Sequence, residues 1–493
     1  MISKSLRQNR FQFQKTFRLF STLQSPTEQD FQELVKRAPS SLVVNHWEEL
    51  EKYNKDWTGN YSGKSRIVCR PNSTKEVSSI LEYCNERKIG VVPQAGNTGV
   101  VGGSIPIGDE VILSIEKLNQ IHSFDGINGI VQCDAGVVLQ TLQEKVAAWD
   151  ALVPIDLGAK GTCMIGGNIA TNAGGQYYYR FGSIHSNIIG LEVVLADGTI
   201  LDLMSTNRKD NTGYDLKHLF VGSEGTLGVV TKVALNCPRL PSSRNVAFLA
   251  CDSFQSVCET LAKAKEHLGE VLAAFEFMDK AVLDQVATEK RIPLLNDNGE
   301  NYDFYVLVET QGSNEDHDMQ KLELFLESTM ESSQAVDGIL AQDMKQVLDI
   351  WEIRESCNPI IKSKGYNYKY DISLPLDCYY DIANVMRDRL SKFPTVEVVN
   401  WGHVIDGNLH LNIIDKGEFK VREEVKELIE PFVFEYTISK KGSISAEHGL
   451  GQCKNEYLGK YAKDAATVAV MKNLKQSFDP NGILNPSKFL PSL

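Results

Sequence analysis

PQAGNTGVVGG, residues 93–103, is the stretch on which the fold reading turns. It follows a short apolar run, VVPQ (91–94), and leads to another, VILSI (111–115), so it reads as a glycine-dense loop between two strands. Glycine lets backbone approach a ligand closely, and clustered backbone N–H groups make an anion-binding nest. No Gly-Lys-Ser/Thr follows, which excludes a P-loop, and no GxGxxG opens a helix, which disfavours a Rossmann site and with it a nicotinamide dehydrogenase. Two further runs, DLGAKGTCMIGGNIATNAGG (156–175) and GSEGTLGVVT (222–231), also lie beside strands. Each alone is explained by ordinary turns. Together they suit one elongated ligand with a phosphate-rich middle, and FAD fits that description.

Outward from these loops, EVSSILEYCNERKIG (76–90) has apolar residues at helical spacing and is expected to stop at Gly90. GIVQCDAGVVLQTLQEKVAAWD (129–150) reads as strand, turn and helix, and LEVVLADGTIL (191–201) as a hairpin on Asp-Gly. Residues 68–237 therefore have an α+β pattern. CPRLPSS (237–243) marks a boundary, after which helices such as FQSVCETLAKAKEHL alternate with strands such as FYVLVET. There is no internal repeat and no low-complexity segment.

The chain has 493 residues, 42% of them hydrophobic, enough for two or three domains. No apolar run is long enough to span a bilayer. Ten cysteines lie scattered without a CxxC, which suits reduced thiols. The net charge of −13, with both signs interleaved, argues against nucleic acid as a partner. Residues 1–24 differ: Lys4, Arg7, Arg10, Lys15 and Arg18 stand among Gln, Ser and aromatics with no acid and no long apolar core, the composition of a mitochondrial transit peptide. The alternative is a disordered basic tail or a nucleic-acid arm.

NWGHVIDGNLHLNII (400–414) places two of the nine histidines about an Asp-Gly pair. With Asp406 and Gly407 as the two central residues of a tight turn, His403 faces His410 and Asn412 shares their side of the sheet. Two readings stay open at this point, a histidine pair on a half-buried sheet or two ligands of a metal site that needs a third from elsewhere.

PQAGNTGVVGG, DLGAKGTCMIGGNIATNAGG, RKDNTGYDLKHLFVGSEGTLGVV, AFEFMD, GHVIDGNLHLN and SAEHGLG resemble the D-2-hydroxyglutarate dehydrogenases, a branch of the FAD-linked oxidase family that includes D-lactate dehydrogenases. The likeness runs from about residue 52 to the C-terminus. It implies an α+β fold: a two-subdomain FAD-binding domain of the PCMH/VAO type, an antiparallel-sheet substrate domain, and a C-terminal segment ending NPSKFLP near the flavin domain. The division expected is 1–24 transit peptide, 25–67 lead-in, 68–240 FAD-binding domain, 244–450 substrate and metal domain, and 451–493 C-terminal segment.

The resemblance further implies oxidation of D-2-hydroxyglutarate to 2-oxoglutarate in the mitochondrial matrix, with electrons passed to an electron-transfer flavoprotein; a homodimer is compatible with it. Flavin contacts are expected at Pro93, Gly96, Asn97, Thr98, Gly99, Gly102 and Gly103, at Leu157, Gly158, Gly161, Gly166, Gly167, Asn168 and Thr171, and at Gly225, Gly228 and Val229. Some relatives anchor flavin through a histidine in the first loop; 93–103 has none, so FAD is expected to be non-covalent.

The family's metal ligands correspond to His403, His410 and Glu447, a set suited to Zn²⁺ and acceptable to Mn²⁺ or Fe²⁺. Its general base corresponds to His448, which requires the backbone to turn at 447–448. Arg354 and Lys369 match positions that hold the distal carboxylate of a diacid, and Asn412 is placed to hydrogen-bond substrate near the metal. Two positions depart from the pattern. Asn358 stands where a threonine also contacts the distal carboxylate, and Ile405 replaces the glycine before the hairpin aspartate, expected to narrow the space beside the metal or to force a small backbone shift. D-lactate or D-malate oxidation is the runner-up, and a flavin-binding protein without catalysis a more distant one.

Overall fold

The computed structural model describes residues 23–39, 42–292 and 302–491. Among these, β1 (Leu42–Val44), β2 (Val68–Arg70), β3 (Val91–Gln94) and β4 (Val111–Ser114) form a sheet in the order β1-β2-β4-β3, with β4 parallel to both its neighbours. β5 (Ile121–Asp125), β6 (Ile130–Asp134), β7 (Ile188–Val194), β8 (Ile200–Leu203) and β9 (Val229–Asn236) form an antiparallel sheet ordered β5-β6-β9-β7-β8. One apolar core, including Ile80, Leu113, Val131, Leu191 and Val233, joins the two. The first glycine run leaves the end of β3 and the third leads into β9; the second (156–175) is not beside a strand as expected but runs through coil into the short helix Ile165–Thr171.

The helix Thr74–Arg87 shows how locally this half is specified. Ser73 caps it by accepting from the Glu76 N–H, and Val77, Ile80, Leu81 and Cys84 make its buried stripe. It ends at Lys88 (φ 55°), whose N–H reaches the Asn85 and Cys84 carbonyls, and not at Gly90. A Cβ at Gly90 would lie 2.7 Å from Glu110 Cγ, so a larger residue there would have to displace that side chain.

The second half is built on β10 (Ser243–Cys251), β11 (Leu272–Asp279), β12 (Phe304–Gly312), β13 (Asp337–Leu340), β14 (Gly365–Ser373), β15 (Val396–His403) and β16 (Asn408–Lys416), all antiparallel in the order β13-β10-β12-β11-β15-β16-β14. Period-two alternation sends Phe275, Phe277, Leu409, Leu411 and Ile413 to one face and Phe248, Tyr305, Trp401 and Ile414 to the other. Each such side chain, fully buried, contributes roughly 1.5–3 kcal/mol. The long helix Met344–Lys364 covers the second face with Trp351, Cys357, Ile360 and Ile361.

The chain then returns to the first half. The Val91 N–H donates to the Ile483 carbonyl at 2.7 Å, the Asn485 N–H to the Val91 carbonyl at 2.8 Å, and Ile483 and Leu484 are buried in the first core. The basic segment 1–24 lies outside the described residues except for Leu23 and Gln24, the latter donating its N–H to the Lys88 carbonyl at 2.8 Å.

Candidate active site

The β15–β16 hairpin differs from the tight turn expected. His403 pairs with Asn408, and Trp401 with His410. Residues 404–407 form the loop, and only Gly407 takes a positive φ (80°), Asp406 lying in a short 3₁₀ turn. His403 and His410 are therefore diagonal rather than opposed. The register has shifted by two, which preserves the face, so both imidazoles still meet, ring centroids 5.3 Å apart and nearly perpendicular. The pairing of β16 with β14 brings Lys369 and Asp371 beside Asn412 and His410, and that of β11 with β15 brings Glu276 beside His403. Ile405 does not narrow this space; it is buried in the core on the opposite face of the sheet.

Asp371, which the sequence reading passed over, organises the cluster. It is fully buried. Its Oδ2 accepts from the backbone N–H groups of Glu447 (2.8 Å) and His448 (3.1 Å), and its Oδ1 from Asn408 Nδ2 (2.7 Å). Two consecutive N–H groups converging on one oxygen mean that the backbone turns at 447–448, as a shared site for both side chains requires. His410 Nδ1 lies 3.5 Å from Oδ1 and His448 Nδ1 3.6 Å from Oδ2. Although burial opposes it, the facing imidazoles hold the Asp371 carboxyl well below the usual range. Burial, aided by Lys369 and Lys454, pushes His448 down to about 4, so its ring is neutral near pH 7.

The loop after Glu447 touches all three glycine runs. Glu447 Oε1 accepts from the Gly175 N–H at 3.1 Å. Glu224 accepts from the N–H groups of Leu450 (2.7 Å) and Gly451 (2.8 Å), and Gln452 Nε2 donates to the Gly102 carbonyl at 2.9 Å. Gly449 (φ 77°) and Gly451 (φ 51°) supply the left-handed backbone this path needs.

Two sets of side chains could hold a cation. The compact one is Asp371, Glu447 and His448, whose donor atoms lie within 4.8 Å of one another. The oxygens of Asp371 are occupied by three N–H donors, which suits a carboxylate standing behind a histidine ligand better than a ligand itself. The set expected from the resemblance is more open, with His403 Nδ1 3.9 Å from Glu447 Oε1. It contains two buried imidazole nitrogens without a hydrogen bond, His403 Nδ1 and His410 Nδ1. Glu276, Asp406 and Glu447 all approach His403; against the effect of burial they carry its pKa up to about 10, a sign of the negative field there. Two imidazoles and a carboxylate in such a field fit a divalent cation.

Arg354 and Asn358 sit one turn apart on the long helix. The Arg354 Nε donates to Glu276 Oε2 at 2.5 Å. Lys369 has neither an ion pair nor a hydrogen bond among the described residues, and burial lowers its pKa against the pull of Asp371 and Glu447. Asn412 is fully buried and already engaged: its oxygen accepts from Asn367 Nδ2 and its amide donates to the His410 carbonyl, so one N–H is all it retains for a ligand.

The three glycine runs pack on one another. A Cβ on Gly96 would lie 2.2 Å from the Thr162 carbonyl oxygen, one on Gly167 3.0 Å from Ala95 Cβ, and one on Gly225 3.2 Å from Pro93 Cγ. Gly99 and Gly158 open onto free space. Among the described residues none of the backbone N–H groups from Gly96 to Ser104 donates to a protein acceptor, and Asn168 Oδ1 is buried without a partner. The unused N–H donors fit a phosphate-bearing cofactor such as FAD, and the Asn168 oxygen is free to accept from a ligand N–H or O–H. Gly166, Gly228 and Val229 pack against the protein interior on the side where a side chain would stand. The first abuts Ala135 and Ile115, the second Val193, and Val229 is buried in the core.

The family description "FAD binding domain" matches residues 65–204, and "FAD linked oxidases, C-terminal domain" matches residues 240–489. A mitochondrial D-2-hydroxyglutarate dehydrogenase of Danio rerio is 49% identical over 442 residues, 90% of this chain and 81% of its own. A probable mitochondrial D-2-hydroxyglutarate dehydrogenase of Oryza sativa subsp. indica is 48% identical over 456 residues, 92% of this chain and 80% of its own. The solved structure of p-cresol methylhydroxylase with substrate bound matches at a TM-score of 0.75 over 94% of this chain and 98% of its own, at 14% identity, a likeness of fold. Glycine runs, antiparallel sheet and sequence agree: the chain belongs to the FAD-linked oxidases, on the branch of the D-2-hydroxyglutarate dehydrogenases.

Proposed function

We propose that this chain oxidises D-2-hydroxyglutarate to 2-oxoglutarate in mitochondria with non-covalent FAD and a divalent cation, zinc by preference, and passes the electrons to an electron-transfer flavoprotein. The basic segment 1–24 and the mitochondrial names of the relatives support the location. When bound, FAD would accept the hydride and the cation would lower the pKa of the substrate hydroxyl as a Lewis acid. His403, His410 and Glu447 would hold that cation. Arg354 and Lys369 would take the distal carboxylate, a fork and a point charge respectively. His448, its Nδ1 turned toward Asp371, is left with Nε2 to take the hydroxyl proton. Asn412 would offer its remaining N–H.

The observation that carries this reading is the 447–452 loop: it bears the candidate ligand and base, and its residues hydrogen-bond to all three glycine runs. Anaerobic addition of D-2-hydroxyglutarate should bleach the yellow protein, and kcat/KM should rank D-2-hydroxyglutarate above D-lactate and D-malate. The distal-pocket assignment fails should D-lactate equal or exceed the diacid.

A further inference from the structure

AFEFMD (274–279) contributes to the family likeness, and its glutamate, already part of the negative field around His403, stands between two of the groups that carry the chemistry above. Glu276 lies on β11 opposite His403 and is 1% exposed. Its Oε2 accepts from Arg354 Nε at 2.5 Å. Its Oε1, 3.4 Å from His403 Nε2, is sealed from solvent and makes no hydrogen bond. A half-satisfied buried carboxylate is a poor way to fasten a helix to a sheet, since an apolar pair packs there at lower cost. The bond to Nε has a specific consequence: both Nη groups of Arg354 are left without a protein partner among the described residues, and those two present the fork that grips a carboxylate from one side.

We propose that Glu276 is a positioning residue for substrate length: it holds Arg354 by Nε and abuts His403, so it fixes the span between the distal-carboxylate fork and the imidazole pair at the hydroxy-acid end. A five-carbon diacid bridges that span; a monoacid ignores it. The proposal rests on the diacid reading above and predicts coupling that a scaffold ion pair lacks.

The test compares Glu276→Gln, Glu276→Asp, Arg354→Ala and the Gln/Ala double variant as flavin- and metal-loaded enzyme, measuring KM and kcat for D-2-hydroxyglutarate and D-lactate and the affinity for 2-oxoglutarate by calorimetry. Glu276→Gln should raise KM for the diacid and weaken 2-oxoglutarate about tenfold or more, and should cost the diacid kcat/KM at least roughly threefold more than the D-lactate kcat/KM. Glu276→Asp, which keeps the charge on a shorter arm, should fall between. In the Arg354→Ala background Glu276→Gln should add less than about twofold, because the two act as a unit. Equal losses on both acids, additive effects with Arg354→Ala, or loss of metal or soluble protein in both Glu276 variants would assign Glu276 to the scaffold and overturn the proposal. Arg354→Ala leaving diacid kinetics intact would instead overturn the distal-pocket reading.

Discussion

Asp371→Asn tests how the candidate ligands and base are held together. Three N–H donors face two carboxylate oxygens. An amide offers one oxygen. With that oxygen kept toward Glu447 and His448, the amide NH₂ confronts Asn408 Nδ2 and one buried donor is orphaned, at about 1–3 kcal/mol. The two surviving bonds turn from charge-assisted to neutral, which brings the local loss to about 3 kcal/mol. The 447–448 turn should loosen, while the glycine runs keep their own packing. The variant should retain its flavin, lose metal affinity roughly 10–100-fold as expected for a carboxylate behind a histidine ligand, and bleach more slowly by a similar factor. Metal-to-protein ratios after dialysis against graded chelator, together with anaerobic stopped-flow bleaching, measure both. Full metal content and wild-type bleaching in Asp371→Asn would refute the view that this carboxylate organises the site.

Lys369→Met should weaken 2-oxoglutarate binding by roughly 10–100-fold while raising the urea midpoint by an amount equivalent to about 1 kcal/mol, because a half-buried cation without an ion pair is exchanged for an apolar side chain; calorimetry and urea titration read the two effects. Gly96→Ala should yield protein with little flavin, visible as lost colour after gel filtration, since its Cβ would lie 2.2 Å from the Thr162 carbonyl oxygen. Metal chelation should abolish turnover and leave the flavin spectrum in place, with Zn²⁺ or Mn²⁺ restoring activity. Lys488 provides a pH test. Burial, opposed by Glu110 and Glu224, pushes its pKa down to about 7. The unfolded chain titrates near ~10.4, so between those values it binds a proton that the folded chain does not, and this residue's contribution to stability rises with pH. The unfolding free energy of wild type minus that of Lys488→Met should grow by about 2 kcal/mol from about pH 7 to 9 in urea titrations, and a flat or falling difference would contradict the assignment.

Much of this was legible in the sequence for identifiable reasons. Strands such as Val91–Gln94 and Val111–Ser114 are short apolar runs, the first flanked by Gly90 and Gly96 and the second by acidic residues, and helices such as Phe254–Leu268 carry an apolar stripe. The histidine pair was legible even though its turn was misread, because a shift of two residues leaves every side chain on its original face. What stayed hidden depends on strand order. Glu276 reaches His403 only because β11 pairs with β15 across more than a hundred residues of chain, and local spacing carries no trace of that pairing. Asp371 was within reach, since alternation from Lys369 puts it on the same face, but its hold on the 447–448 turn is a contact between a strand and a distant loop. Ile405 was placed beside the metal by proximity along the chain, whereas the four-residue loop sends it through to the other core.

The first family match ends at residue 204 and the second begins at residue 240, yet the molecule has no seam between them. Ile483 and Leu484 complete the hydrophobic filling beneath β3, and Asn485 donates to the carbonyls of Gly103 and Glu224 in two of the glycine runs. Severing the chain at the boundary would strip the amino-terminal fragment of an edge partner and bare Val91, while the carboxy-terminal fragment would display two wet isoleucine and leucine side chains. Each fragment by itself should be prone to aggregate, and a flavin-binding half wanted in isolation should gain stability from residues 483–485 grafted back onto it.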